Sequence, residues 1–127
     1  MIRILSIRLG AIAVLFAACA ISPASAGDVA KGKAFFARCA ICHSNAKGAP
    51  NRIGPNLFGV VGRKSASVAG FFYSGAMKHS GIIWTPDRLR AFITRPNGLV
   101  PGTRMGFAGV ANKGQVDDLV AYLTTLK

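Results

Sequence analysis

Cys39-Ala40-Ile41-Cys42-His43 is the stretch on which the reading of this chain turns. Two thiols three positions apart, followed at once by an imidazole, form the attachment signature of a c-type haem. The spacing follows from the chemistry. The thiols reach two vinyl groups on one edge of a porphyrin, and the histidine then lies under the iron as an axial ligand. A shuffled chain of this composition would show the pattern about once in a thousand times.

Upstream of the motif, residues 1–26 have the character of a secretory leader. Arg3 and Arg8 form its basic start, Ala11 to Ile21 its apolar run, and Ala24-Ser25-Ala26 a small-x-small cleavage signal. Cleavage after Ala26 is expected, with a mature domain over 27–127. The apolar run is shorter than the roughly 20 residues that a membrane-spanning helix needs. The leader carries Cys19 away, so Cys39 and Cys42 are the only mature cysteines and no disulfide framework can form. A periplasmic location follows from export.

The mature segment allows a single small domain, short of core and in need of a covalent or metal staple. It keeps fourteen basic residues against four acids, a net charge of +10 before any haem charge. That balance points to an anionic partner surface. Export argues against nucleic acid, and the cations are scattered rather than clustered.

Helical signals alternate with loops rich in glycine and proline. A first helix is expected from Asp28, as N-cap, to about Arg38, with Gly32 and Phe36 on one face. Residues 44–72 read as a long loop, which needs a large apolar cofactor to order it. A short helix is expected over Ser74 to Ser80. A better one runs from Thr85 to Arg95, with Thr85 as cap, Pro86 at the first position and Pro96 as the stop. A last helix is expected from about Gln115 to Leu126, where Val116, Leu119, Val120 and Leu123 form one stripe.

A haem iron held by His43 has a sixth position. Met77, His79 and Met105 are the candidates. Met105 is favoured because Pro101-Gly102-Thr103-Arg104-Met105 cannot be helical and is free to cross the far face of the ring. Met77 is read as a packing residue and His79 as a solvated one.

Together these features resemble the class I cytochromes c, the small soluble proteins of mitochondria and the alphaproteobacterial periplasm. The resemblance runs from Gly27 to Lys127. It implies an all-α fold, three main helices plus short ones and long loops around one covalent haem c. On this resemblance Cys39 and Cys42 attach the haem, His43 and Met105 bind the iron, and the Pro55 carbonyl accepts the imidazole N–H. Arg63, Tyr73, Trp84 and Thr103 fall where the family holds the haem propionates. Gly32 and Phe36 match the first-helix residues that cross the last helix at Leu119 and Tyr122. The departures are Phe92, where a tyrosine is frequent, Met77, where asparagine is, and Arg104, where lysine is.

The implied function is outer-sphere transfer of single electrons by a soluble monomer, not an enzyme. Lys33, Arg38, Lys47, Arg52 and Arg104 are candidates for a basic ring that steers docking to acidic surfaces. The implied partners are a quinol–cytochrome c reductase, a terminal oxidase, a photosynthetic reaction centre or a periplasmic dehydrogenase, with the membrane met only through such complexes. Three other readings compete. The chain serves as the dedicated electron-accepting subunit of one dehydrogenase, marked by an exposed apolar patch. It is a haem peroxidase or sensor, if Met105 is labile. Or Cys39, Cys42 and His43 form a zinc or dithiol site.

Overall fold

The computed structural model describes residues 26–127. The leader reading falls on residues 1–25, outside the described residues; Ala26, the expected last leader residue, is exposed. Five helices follow: α1 (Val29–Phe36), α2 (Gly75–His79), α3 (Pro86–Thr94), α4 (Pro96–Leu99) and α5 (Lys113–Thr124). Among the described residues there is no strand, only an isolated antiparallel bridge between Lys64 and Ile83. No described helix is long and apolar enough to cross a membrane.

Four of the five described helices start where a side-chain oxygen satisfies a free N–H group, α4 being the exception. Asp28 accepts from Lys31 N, Ser74 from Met77 N and Thr85 from Arg88 N, as the sequence leads one to expect. The last helix begins two residues earlier than expected. Asn112 is its cap, accepting from Gln115 N, so Lys113 and Gly114 are helical despite carrying no apolar signal. It also stops at Thr124 rather than Leu126. α1 ends at Phe36, not Arg38, and the chain continues in tight turns to Cys42. Pro96 does terminate α3, but it also opens α4, an extra turn that the sequence reading missed. Proline suits both roles, since its fixed φ and absent N–H fit a first helical position.

α1 and α5 cross at close range. A Cβ on Gly32 would overlap the Asp118 carbonyl and come within 2.9 Å of Tyr122 Cβ. The absent side chain lets the two backbones approach, and the Phe36 and Tyr122 rings then pack with centroids 5.4 Å apart. Asp118 Oδ1 accepts from Asp28 N at 2.7 Å and closes the same junction from the chain's start. α3 packs on α5 beside this pair. Arg90 on α3 bonds Asp117 on α5 at 2.9 Å, and Lys113 binds the other Asp117 oxygen.

Candidate haem site

The first helix delivers its C-terminal end to the motif. Cys39 N donates to Phe36 O at 2.8 Å, and His43 N donates to Cys39 O at 2.9 Å. These turns keep Cys39, Cys42 and His43 in helix-like register, so both thiols and the imidazole reach one cavity wall. Both cysteines are free and half-buried. Burial, and next the neighbouring Cys42, push the Cys39 thiol above its ordinary pKa.

The long loop is anchored by backbone and amide bonds. Gly54 N donates to Cys42 O at 2.8 Å and Leu57 N to Ser44 O at 2.9 Å. Asn56 is the organiser that the sequence reading passed over. Its amide donates to Ala46 O and Ala49 O, while its own oxygen accepts from Phe58 N. The loop thereby brings Pro55 O to 2.7 Å from His43 Nδ1. A carbonyl only accepts, so the ring proton sits on Nδ1 and the lone pair is left on Nε2. Burial lowers the His43 pKa, the Pro55 bond opposes that, and the nearby Arg63 charge lowers it further. The net direction favours the neutral ring, the form that ligates metals. A Cβ on Gly54 would run into the His43 ring, so this glycine is part of the cradle.

The remaining wall comes from three more segments. Residues 62–65 pair with 82–84 through Gly62 N to Trp84 O (2.8 Å), Trp84 N to Arg63 O (2.9 Å) and Ser65 N to Ile82 O (2.7 Å). This pairing sets Arg63 beside Trp84. Arg63 donates to Phe58 O at 3.0 Å, and none of the four aspartates lines the same wall. Burial lowers its pKa, the ordinary cost of desolvating a cation without a carboxylate partner. Tyr73 Oη accepts from Val68 N at 3.2 Å and keeps its own proton to donate. Burial raises the Tyr73 pKa, with the Val68 bond and Arg63 opposing. Thr103 Oγ1 accepts from Met105 N at 3.3 Å in the irregular segment after α4.

Cys39, Cys42, His43, Pro55, Arg63, Tyr73, Trp84, Thr103 and Met105 all line one cavity of about 820 Å³. Among the described residues, nine of the fourteen buried hydrophobic ones line it too, so the core is built around that space rather than filling it. Met77 is buried in the same wall and Phe92 packs its ring 5.0 Å from Trp84. His79 is exposed, outside this wall, and its Nδ1 donates to Gly75 O at 2.8 Å. Of the expected basic ring, Arg38 and Arg104 line the cavity, while Lys33, Lys47 and Arg52 do not. Lys64 does, and was missed because nothing local marks it. Among the described residues no group of three His, Cys, Asp or Glu side chains is set to hold a metal ion, which leaves the zinc reading without a site. With no strand in the described residues, the βαβ setting of a redox dithiol is absent as well.

The donor set fits a covalent haem: two thiols for its edge, a neutral imidazole for its iron, and a guanidinium without a carboxylate partner for its anionic groups. A chain this small, wrapped on a cavity that carries its own attachment thiols, is a c-type haem protein. It belongs to the cytochrome c family, whose model matches residues 29–127.

Cytochrome c2 of Blastochloris viridis is 46% identical over 106 residues, which is 84% of this chain and 84% of that one. Cytochrome c-550 of Nitrobacter winogradskyi is 45% identical over 98 residues, 77% of this chain and 90% of the relative. Among solved structures, cytochrome cH from Methylobacterium extorquens aligns with a TM-score of 0.74 at 41% identity, covering 78% of this chain and 99% of its own. The bound group is haem c, attached through Cys39 and Cys42, and the protein is an electron carrier rather than an enzyme.

Proposed function

We propose that this chain is an exported, monomeric, periplasmic carrier of single electrons in which His43 and Met105 would ligate the haem iron. The observation that carries this reading is that His43 and Met105 line one cavity, with His43 oriented by Pro55 so that only Nε2 is free to bind. The haem, when bound, supplies a one-electron iron couple.

The chain's own residues then set the conditions. Pro55 O holds the imidazole in one tautomer and one orientation. The Met105 thioether would be the second protein ligand, and it would favour the reduced state relative to stronger donors. The apolar wall acts in the same direction, because it disfavours the extra positive charge of the oxidised form. Arg63, Tyr73, Trp84 and Thr103 meet the propionates. Arg63 is suited to that role as a half-buried cation without an aspartate neighbour on the wall. Phe92 and Met77 bring apolar side chains to the cavity where the resemblance would lead one to expect tyrosine and asparagine.

Redox partners follow from charge. The cations at the cavity mouth suit acidic docking surfaces, such as those expected of a quinol–cytochrome c reductase, a terminal oxidase, a reaction centre or a periplasmic dehydrogenase. Residues 1–26 act as the leader, cleaved after Ala26.

The test is an absorption spectrum, oxidised and reduced, of protein made with haem-attachment machinery and checked by intact mass. A covalent haem mass, low-spin c-type bands and the weak far-red ferric band of an iron–methionine bond are expected. Met105→Ala should lose that band and keep the haem mass. High-spin bands in the wild type would transfer the reading to an open-site peroxidase or sensor.

A further inference from the structure

A second cavity, of about 550 Å³, shares no lining residue with the haem cavity. It is framed by the end of α2, residues 80–83, the start of α3 and residues 99–101. The two cavities stand on opposite sides of one layer of chain. Met77, Trp84 and Leu89 line the haem side, and their neighbours Ala76, Ile83 and Arg88 line the other. A haem in its own cavity therefore leaves this one open. Its size is that of a small-molecule site rather than of a bare inorganic ion.

The lining combines two chemistries. Ile82, Ile83, Leu99 and Val100 supply apolar surface, while Arg88, Thr85 and His79 supply polar groups. Arg88 has no ion pair and no side-chain hydrogen bond among the described residues. The acid beside it in sequence, Asp87, is bound instead by Arg90 at 2.8 Å, and Arg90 also holds Asp117. No aspartate lines the cavity, and the chain contains no glutamate. Thr85 Oγ1 accepts from Arg88 N at 3.2 Å as the helix cap, which leaves its own proton to donate. His79 bonds Gly75 O through Nδ1, and its Nε2 makes no hydrogen bond among the described residues. An unpaired arginine on an open surface is ordinary. On the wall of an apolar cavity it is the kind of convergent polar group that orients a ligand.

We propose that this cavity binds a small organic carboxylate with an apolar body, its charge met by Arg88 and Thr85 and its body by Ile82, Ile83 and Leu99. The guanidinium is planar and permanently charged, and its paired N–H groups match a carboxylate. An inorganic anion would satisfy the charge and leave the apolar wall wet. A neutral apolar molecule would cover the guanidinium and give it no partner. A second copy of the chain is a poor occupant, because this rim offers it cations and no acid. The site lies outside the electron-carrier reading and does not depend on it.

The probe is 2-naphthoate, titrated at constant ionic strength into isotope-labelled, reduced holoprotein and followed by amide chemical shifts. Saturable shifts are expected at residues 79–88 and 99–101, with a dissociation constant of about 1 mM or tighter for a ligand of this size. Arg88→Gln keeps the main-chain N–H that Thr85 caps, and should weaken binding about tenfold. Ile83→Ser should weaken it severalfold through the apolar wall alone. Lys78→Gln removes an exposed cation that does not line the cavity and should leave binding unchanged. No saturation by about 10 mM overturns the proposal, as does an Arg88→Gln constant within about twofold of the wild type. So do equal shifts with sulfate, which would mean an adventitious ion only, or shifts confined to the haem-cavity residues 53–57 and 71–73. Association with phosphatidylglycerol vesicles in the absence of any naphthoate response would overturn it in favour of a lipid surface.

Discussion

His43 Nδ1 donates to the main-chain oxygen of Pro55 at 2.7 Å, although twelve residues separate the two in sequence. The loop between them exists to deliver that carbonyl. Gly54, next to it, leaves the room the ring needs.

Gly54→Ala should therefore displace the imidazole, since the added methyl meets ring atoms and not the end of a flexible side chain. The expected outcome is a lower yield of covalent haem and a weakened far-red band in the ferric spectrum. A variant with wild-type yield and spectrum would show that the ring has space to move.

Gly32→Ala sets two effects against each other. Alanine is the better helix former by about 1 kcal/mol. Its Cβ, however, meets the Asp118 carbonyl and Tyr122 Cβ, and a backbone carbonyl inside α5 cannot swing away. Overpacking should win, with a net loss of about 1–3 kcal/mol in urea unfolding. A neutral or stabilised variant would mean that α1 and α5 slide apart at little cost.

Asp117 gives a pH dependence with a definite sign. Its pKa is lowered, chiefly by the Lys113 hydrogen bond; burial, the next effect in size, opposes this, and the Arg90 hydrogen bond adds to the lowering. A carboxylate with a depressed folded pKa contributes stability that is fully present above its ordinary value near 3.8 and is lost as pH falls through the folded value. Thermal unfolding of wild type and Asp117→Asn should thus differ at pH 6 and converge in strong acid. A gap that stays constant down to pH 2 would assign the effect to packing rather than charge.

Arg104→Ala removes the hydrogen bond that ties the Met105 segment to Phe72 O. A hydrogen bond of about 1 kcal/mol corresponds to roughly a fivefold change in the open population of that segment. Cyanide should bind the ferric variant several times faster than the wild type at neutral pH, by stopped-flow absorbance. Equal rates would mean that the segment is held by Thr103 and packing alone.

Much of this site was legible because its signals are local. Cys39, Cys42 and His43 lie within one turn and a half of chain. Asp28, Ser74 and Thr85 cap helices through bonds three residues long, and Pro86 sits where its missing N–H costs nothing. The boundaries that shifted are those where the local signal is weak. Lys113 and Gly114 carry no apolar pattern, and their helix exists because Asn112 caps it and α5 is packed on α1. Pro96 looked like an end and is an end and a beginning.

The roles of Pro55, Arg63, Tyr73, Trp84 and Thr103 entered through family resemblance, because no spacing rule links them to residues 39–43, whereas Met105 stood out by its non-helical Pro-Gly segment. Sequence by itself determined the attachment chemistry, the positive charge and the helices with side-chain caps, all of which depend on neighbours a few residues apart. Tertiary structure alone decided that these distant side chains line one cavity with His43, that Lys64 and not Lys47 lines it, and that Phe72, Ile53 and Ile41 do so too. The reason is that each of these placements requires closing a loop. Loops close where long-range contacts repay the entropy lost, such as Asp28 to Asp118 across ninety residues or Gly62 to Trp84 across the bridge.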